Sequence, residues 1–334
     1  MIVAVTLLIL AAGLIYLACE YFVNAIEWVG EHAGVSKTAV GTVLAAFGTA
    51  LPESVVTLVA VVFGKTSAQR DLGVGAALGG PLVLATVAYA VVGFVFLLDP
   101  RHRGGRLAAA FSTRRLARDQ AWFLVIFVAK VALGVAAFAW KPWLGALFLL
   151  AYTIYVWREL SGEGHAEDEN ELEVEPLKLR PRAANPAPAW AVLQTLLSLA
   201  VIFGASQVFV HQLDLLGPRL GLSPQLVALL LSPIATELPE TLNAVIWVRQ
   251  GKVSLALANI SGAMMIQATV PSALGLFFTP WRLDASLLWA AGVTMAGIVA
   301  MLWMLRRNAI TAGRLAALAG LYGVFAAGVA LGLR

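Results

Sequence analysis

Charge is scarce in this chain. Only 13% of its 334 residues are Asp, Glu, Lys or Arg, where a soluble domain carries about 25%. That excludes an ordinary soluble enzyme with a polar shell. Cysteine is nearly absent: Cys19 stands alone, which excludes a disulfide framework and a cysteine-ligated metal cluster. His32, His102, His165 and His211 are too scattered to form a catalytic group. What fills the chain is apolar, with 60% hydrophobic residues and a mean hydropathy of +0.84. Such a chain is an integral membrane protein whose solvent is the lipid bilayer. The net charge of +4 reflects arginines gathered in loops, so nucleic acid is not expected as a partner.

A helical crossing takes ~20 apolar residues, so this length holds roughly ten. Apolar runs and their breaks predict helices near 2–28, 38–63, 71–98, 120–140 and 143–157, then 188–213, 224–249, 254–278, 284–305 and 309–332. The first run lacks a basic leader, and Glu20 and Glu27 sit where a signal peptide would be cleaved, so a retained helix is expected. Between the two sets lies a polar stretch. Its Glu159–Glu175 part holds Glu159, Glu163, Glu167, Asp168, Glu169, Glu171, Glu173 and Glu175, and Pro176, Pro181, Pro186 and Pro188 follow. This reads as a solvated, mostly unstructured linker. The expected organisation is a first unit at 1–157, a linker at 158–187 and a second unit at 188–334.

Lysine and arginine set the orientation. With the N-terminus outside, the inner loops hold Lys37, Arg101, Arg103, Arg106, Arg114, Arg115, Arg118, Arg158, Lys178, Arg180, Arg182, Arg249, Lys252, Arg306 and Arg307. The outer side holds Lys65, Arg70, Lys141, Arg219, Arg282 and Arg334. The excess predicts both termini outside and the linker in the cytoplasm, in the plasma membrane of a bacterium or archaeon.

The chain also repeats itself. Shifted by 187 positions, Ala18–Glu53 falls on Ala205–Glu240 without a gap, and twelve of the 36 pairs are identical. Phe22/Phe209, Gly30/Gly217, Gly34/Gly221, Ser36/Ser223, Thr49/Thr236, Leu51/Leu238, Pro52/Pro239 and Glu53/Glu240 are among them. Five crossings per half is an odd number, so the second copy enters the membrane from the opposite side. The expected fold is an all-α membrane protein of ten transmembrane helices in two inverted five-helix repeats, with a site where the repeats meet near mid-membrane.

The repeated element carries the chemistry. In Gly48-Thr49-Ala50-Leu51-Pro52-Glu53 the proline lacks an N–H and its ring clashes one turn back. Carbonyls near Thr49 and Ala50 are then free to face a cation, and Glu53 adds a negative charge one turn on. Ala235-Thr236-Glu237-Leu238-Pro239-Glu240 repeats the pattern. Two facing breaks would bring Glu53 and Glu240 together in an oxygen cage suited to Ca2+, Na+ or Mg2+. A membrane carboxylate costs about 2.5–3.5 kcal/mol, and packing alone does not repay that twice.

At these residues the chain resembles the sodium/calcium exchanger family of the cation/calcium antiporter superfamily. Each repeat of that family has a Gly-Thr-Ser-Leu-Pro-Glu break followed by Gly-Asn-x-x-Gly-Ser-Asn in the next helix. The resemblance covers both halves and is most specific around 41–65 and 228–267. It implies ten helices, cation exchange by alternating access, and Thr49, Glu53, Thr236 and Glu240 as core ligands. The family serine is replaced by Ala50 in one half and Glu237 in the other. Gly75-Ala76-Ala77-Leu78-Gly79-Gly80-Pro81 has lost the polar ligands of the third helix. Ala258-Asn259-Ile260-Ser261-Gly262-Ala263-Met264 keeps Asn259, and Gln267 matches a position where the family has Asn or Asp. The implied metal ligands are therefore Thr49, Glu53, Thr236, Glu237, Glu240, Asn259 and Gln267, most of them in the second half. The extra carboxylate and the missing neutral donors move the coupling ion from sodium toward proton.

Other polar groups have plainer roles. Glu20 and Asn24 suit capping or helix–helix hydrogen bonds. Lys130, in mid-span, suits snorkelling or pairing with a carboxylate more than mimicry of an ion. Trp122, Trp140, Trp143, Trp281 and Trp289 suit interfacial anchoring. The expected function is antiport of Ca2+ or a related cation against Na+ or H+, with inorganic cations as partners and no resident cofactor. The alternative is an H+-coupled or Na+/H+ exchanger that does not carry Ca2+. An intramembrane enzyme lacks a Ser/His pair or an aspartate dyad, and a passive channel does not call for duplicated broken helices.

Overall fold

The computed structural model describes residues 2–32, 45–99, 112–161 and 175–332, except for the side chains of 45–49, 159–161 and 239. Residues 33–44, 100–111 and 162–174 lie outside the described residues, and with them Lys37, Arg101, Arg103, Arg106 and most of the acidic linker. All regular structure among the described residues is helical. Helix α1 (Ile2–His32) is followed by α2 (Ala45–Val62) and α3 (Ser67–Val83). A five-residue π-helical segment, Leu84–Ala88, joins α3 to α4 (Tyr89–Leu98). Then come α5 (Thr113–Val135), α6 (Gly145–Ser161), α7 (Pro188–Leu220), α8 (Pro224–Thr236) and α9 (Leu238–Arg249). The chain ends with α10 (Val253–Phe278), α11 (Ala285–Arg306), α12 (Ala312–Ala316) and α13 (Ala319–Ala330).

Local chemistry places these ends. The Thr66 hydroxyl accepts the Gln69 N–H and starts α3, while the Ser223 hydroxyl accepts the Leu226 N–H at α8. Asp284 does the same at α11 for the Leu287 N–H, at 2.8 Å. Helix α7 begins on Pro188, which has no N–H to lose. It stops at Gly221, whose φ of 64° is a left-handed cap that a side chain would strain.

Among the described residues six helical runs are long and apolar enough to cross a membrane: Ile2–His32, Ser67–Leu98, Pro188–Leu220, Val253–Phe278, Ala285–Arg306 and Ala312–Ala330. The protein is an integral membrane protein. Large apolar side chains on the outer face of α1, among them Ile9, Leu10, Leu14 and Leu17, are exposed, as lipid contact requires. The other expected crossings differ for visible reasons. Helix α5 spans 113–135 rather than 120–140, because Ser112 caps it early and Ala136 leaves helical geometry. The crossing expected at 224–249 is interrupted at Glu237.

Helix α10 is the centre of the bundle, packing on α2, α3, α5, α6 and α9. In its most apolar window 78% of residues are buried, against 28% for α1. Helices α1 and α7, the two copies of the repeat's first helix, lie along each other. Helices α3 and α8 cross closely because α3 is rich in glycine. A Cβ on Gly79 would stand 2.8 Å from the Leu229 carbonyl and from Pro233 Cγ, so only glycine allows that approach.

The last part of the linker, which the sequence reads as mostly unstructured, is tied down. The Asn24 amide donates to the carbonyls of Glu175 and Pro176, at 3.2 and 3.4 Å. Trp28 Nε1 donates to the Glu175 carbonyl at 2.9 Å. The Lys178 N–H and Gln194 Nε2 both donate to Asn24 Oδ1 at 3.0 Å, and Gln194 Oε1 accepts the Leu179 N–H at 2.8 Å. Lys178 reaches Glu20 at 3.2 Å, and the Arg180 guanidinium stacks over Trp190 at 3.9 Å. Asn24 thus has the helix–helix and capping role its position suggests. This latch places the last part of the linker, the end of α1 and the start of α7 on one side of the bundle.

Candidate cation site

Glu237 occupies the gap between α8 and α9. Its φ of −99° and ψ of −1° end one helix and open the next, and its N–H donates to the Pro233 carbonyl at 2.9 Å. Pro233 inside α8 and Pro239 at the head of α9 each lack an N–H, which weakens the helix on both sides. The first-half copy behaves differently. Helix α2 runs on through Pro52, and the Ser54 hydroxyl donates to the Ala50 carbonyl at 3.3 Å. So one of the two expected breaks is present and the other is replaced by a proline-containing continuous helix.

The expected ligands whose side chains are described are dry. Glu53, Thr236, Glu240 and Gln267 are 0% exposed, Glu237 1% and Asn259 4%. Thr236 Oγ1 lies 2.8 Å from Glu53 Oε2, 2.9 Å from Glu237 Oε1 and 3.2 Å from the Ser232 carbonyl. A hydroxyl has one proton to give, so it cannot satisfy three acceptors. Gln267 Nε2 donates to both oxygens of Glu237, at 3.0 and 2.9 Å. Glu53 Oε1 and Gln267 Oε1 have no hydrogen-bond partner among the described residues. Acceptors therefore outnumber donors in a buried place, which a positive ion would correct.

Thr236 joins Glu53 to Glu237, a link that the repeated motif does not display. Glu240 sits in the first turn of α9 and is buried. Among the described residues no three acidic or histidine side chains are grouped tightly enough to hold a metal. The cluster is instead two carboxylates, a hydroxyl and an amide, with Thr236 and Glu237 buried side by side where the helix is interrupted between Pro233 and Pro239. Asn259 is buried on α10. The Thr49 side chain lies outside the described ones.

Gly80 was read as a lost ligand, and its role was missed. A Cβ there would stand 2.6 Å from Gln267 Oε1 and 2.8 Å from Glu237 Oε1. The missing side chain on α3 is the space that Glu237 and Gln267 occupy. The signal was present in the sequence: a small residue at 80 accompanies larger polar residues at 237 and 267. Lys130 was also read too lightly. It is 0% exposed, and its ammonium donates to the carbonyls of Ala77 at 2.8 Å and Gln267 at 3.4 Å.

A helical membrane protein with a dry, acceptor-rich cluster at an interrupted helix has the build of an ion carrier. Residues 3–160 and 190–331 match the model of the sodium/calcium exchanger protein family, and the chain belongs to that family. It is accordingly a cation antiporter, a transporter rather than a catalyst of bond chemistry. CaxA of Alkalimonas amylolytica, named as a candidate antiporter, is 27% identical over 91% of this chain and 90% of its own. The crystal structure of an H+/Ca2+ exchanger, CAX, superposes with a TM-score of 0.71 at 18% identity, covering 98% of this chain and 82% of that one. The sodium-calcium exchanger NCX_Mj superposes with a TM-score of 0.61 at 18% identity, covering 98% of each chain. These two share the fold.

Proposed function

We propose that the protein exchanges Ca2+ for Na+ or H+ at the cluster around Glu237. The observation that carries this reading is the Thr236 hydroxyl held between the Glu53 and Glu237 carboxylates in a buried site. Oxygen-only donors of mixed charge suit a hard cation. Glu53, Thr236, Glu237 and Gln267 form the centre, with Glu240, Asn259 and Thr49 completing the ligand set as the occluded site opens and closes. The chain crosses the membrane ten times, as units 1–157 and 188–334 related by an inverted repeat and joined by a cytoplasmic linker at 158–187. Both termini are outside. The helix pair α1 and α7, the matched Thr-x-Leu-Pro-Glu segments and the arginine distribution support this arrangement. Relatives along most of the chain in Alkalimonas amylolytica and Methanocaldococcus jannaschii, the latter a membrane protein, support a prokaryotic plasma membrane.

The test is flux into proteoliposomes containing the purified full chain. Ca2+ uptake driven by an outward Na+ or H+ gradient, with other divalent ions run in parallel, identifies cargo and coupling ion together. Uptake that runs equally well without any opposing gradient would replace exchange by a channel.

A further inference from the structure

Two carbonyls in the middle of the bundle are deprived of their helical partners. The Ala77 carbonyl would bond the N–H of residue 81 and the Gln267 carbonyl that of residue 271, but both residues are proline. Both orphaned oxygens face one side chain, Lys130 of α5, whose ammonium donates to each. The same ammonium lies over the Phe127 ring, 4.9 Å from its centre, and within Coulombic reach of Glu53. Carbonyl oxygens exposed by prolines, beside a carboxylate, are what a protein offers to a metal cation. Here a covalently attached cation has taken the place. Snorkelling does not describe it, since the side chain is wholly enclosed.

Resting on the exchange reading above, we propose that Lys130 is a tethered cation of the transport cycle. Held by the two carbonyls, its ammonium takes the place of one monovalent cation, so each turnover carries one fewer than the carboxylates alone would demand. Lys130 does not touch the cargo. It reaches the cluster through Gln267, whose backbone holds the ammonium and whose side chain holds Glu237, and through the field it exerts on Glu53. Its influence is therefore on the charge count, a quantity that a purely structural bridge between α3 and α10 would leave alone.

The measurement is the membrane potential at which coupled Ca2+ flux stops, in proteoliposomes with clamped ion gradients. Lys130→Gln keeps donors for the two carbonyls and removes the charge. Lys130→Met removes both, and Lys130→Arg keeps both. The expected result is wild-type coupling in Lys130→Arg and one additional monovalent cation per Ca2+ in Lys130→Gln. One more charge moved across 100 mV shifts the equilibrium Ca2+ gradient roughly 50-fold. An unchanged coupling ratio in Lys130→Gln overturns this inference while leaving the exchange reading intact. Loss of folding in both Lys130→Gln and Lys130→Met also overturns it, since the ammonium would then be a structural bridge. A wild-type protein without gradient-driven Ca2+ flux overturns both readings.

Discussion

Adding one methyl group at Gly80 is a severe test of the proposed site. The Cβ of Gly80→Ala would lie 2.6 Å from Gln267 Oε1 and 2.8 Å from Glu237 Oε1, well inside the 3.4 Å where ordinary contact begins. Both neighbours are buried and joined by two hydrogen bonds, so moving either tip away disturbs those bonds. Either the amide rotates away from Glu237 or the backbones of α3 and α10 separate. Losing one hydrogen bond to a charged group costs about 1.5–3 kcal/mol, and overpacking costs typically 1–3 kcal/mol. Helix propensity returns about 1 kcal/mol on replacing glycine by alanine. The expected outcome is Ca2+ affinity weakened roughly 10- to 150-fold, with stability lowered by only about 0–2 kcal/mol. Calorimetric Ca2+ titration and thermal unfolding of the purified protein give the two numbers. Gly13→Ala is the control, because nothing lies within 4 Å of a Cβ there. Wild-type affinity in Gly80→Ala would refute the assignment of Glu237 and Gln267 to the cation site.

Other outcomes are equally open to measurement. Glu53→Gln and Glu240→Gln should each weaken Ca2+ binding roughly 10-fold or more while preserving a folded protein on size-exclusion chromatography; normal exchange in either removes that residue from the site. Thr236→Val keeps the shape and deletes the hydroxyl that links the two carboxylates, and Ca2+ uptake should fall by at least about 10-fold. Asn24→Ala breaks the latch on the linker and should lower thermal stability by about 2–3 kcal/mol, without changing the coupling ratio. A cysteine replacing exposed Arg182 should react with an impermeant reagent only from the cytoplasmic face; labelling of intact cells from outside would reverse the orientation.

The helical architecture was legible because lipid demands long apolar runs, and those runs survive any detail of packing. Helix ends set by a cap, as at Ser112 and Gly221, were less so, since one hydroxyl or one left-handed residue moves a boundary by several positions. The repeated Thr-x-Leu-Pro-Glu located Glu53, Thr236 and Glu240 correctly as buried polar residues. It could not show that Thr236 would join Glu53 to Glu237, because that depends on where a helix breaks in three dimensions. Gly80 and Lys130 were misjudged for a shared reason. Each acts through a residue far away in sequence, Gly80 by the space it leaves and Lys130 by carbonyls that prolines on other helices release. Single residues read one at a time do not display such relations.

Two equal halves, placed upside down to one another, would give a carrier whose inward-open and outward-open states mirror each other and weigh the same. The two halves of this protein are unequal at the point that matters. One carries an interrupted helix with an added carboxylate at Glu237, the other an unbroken helix through Pro52. The broken element bends at lower cost than the continuous one, so the two openings differ in free energy before any ion is bound. Bending in this part of the bundle is therefore expected to concentrate at Glu237, in the second half, while the segment through Pro52 moves as a stiff rod.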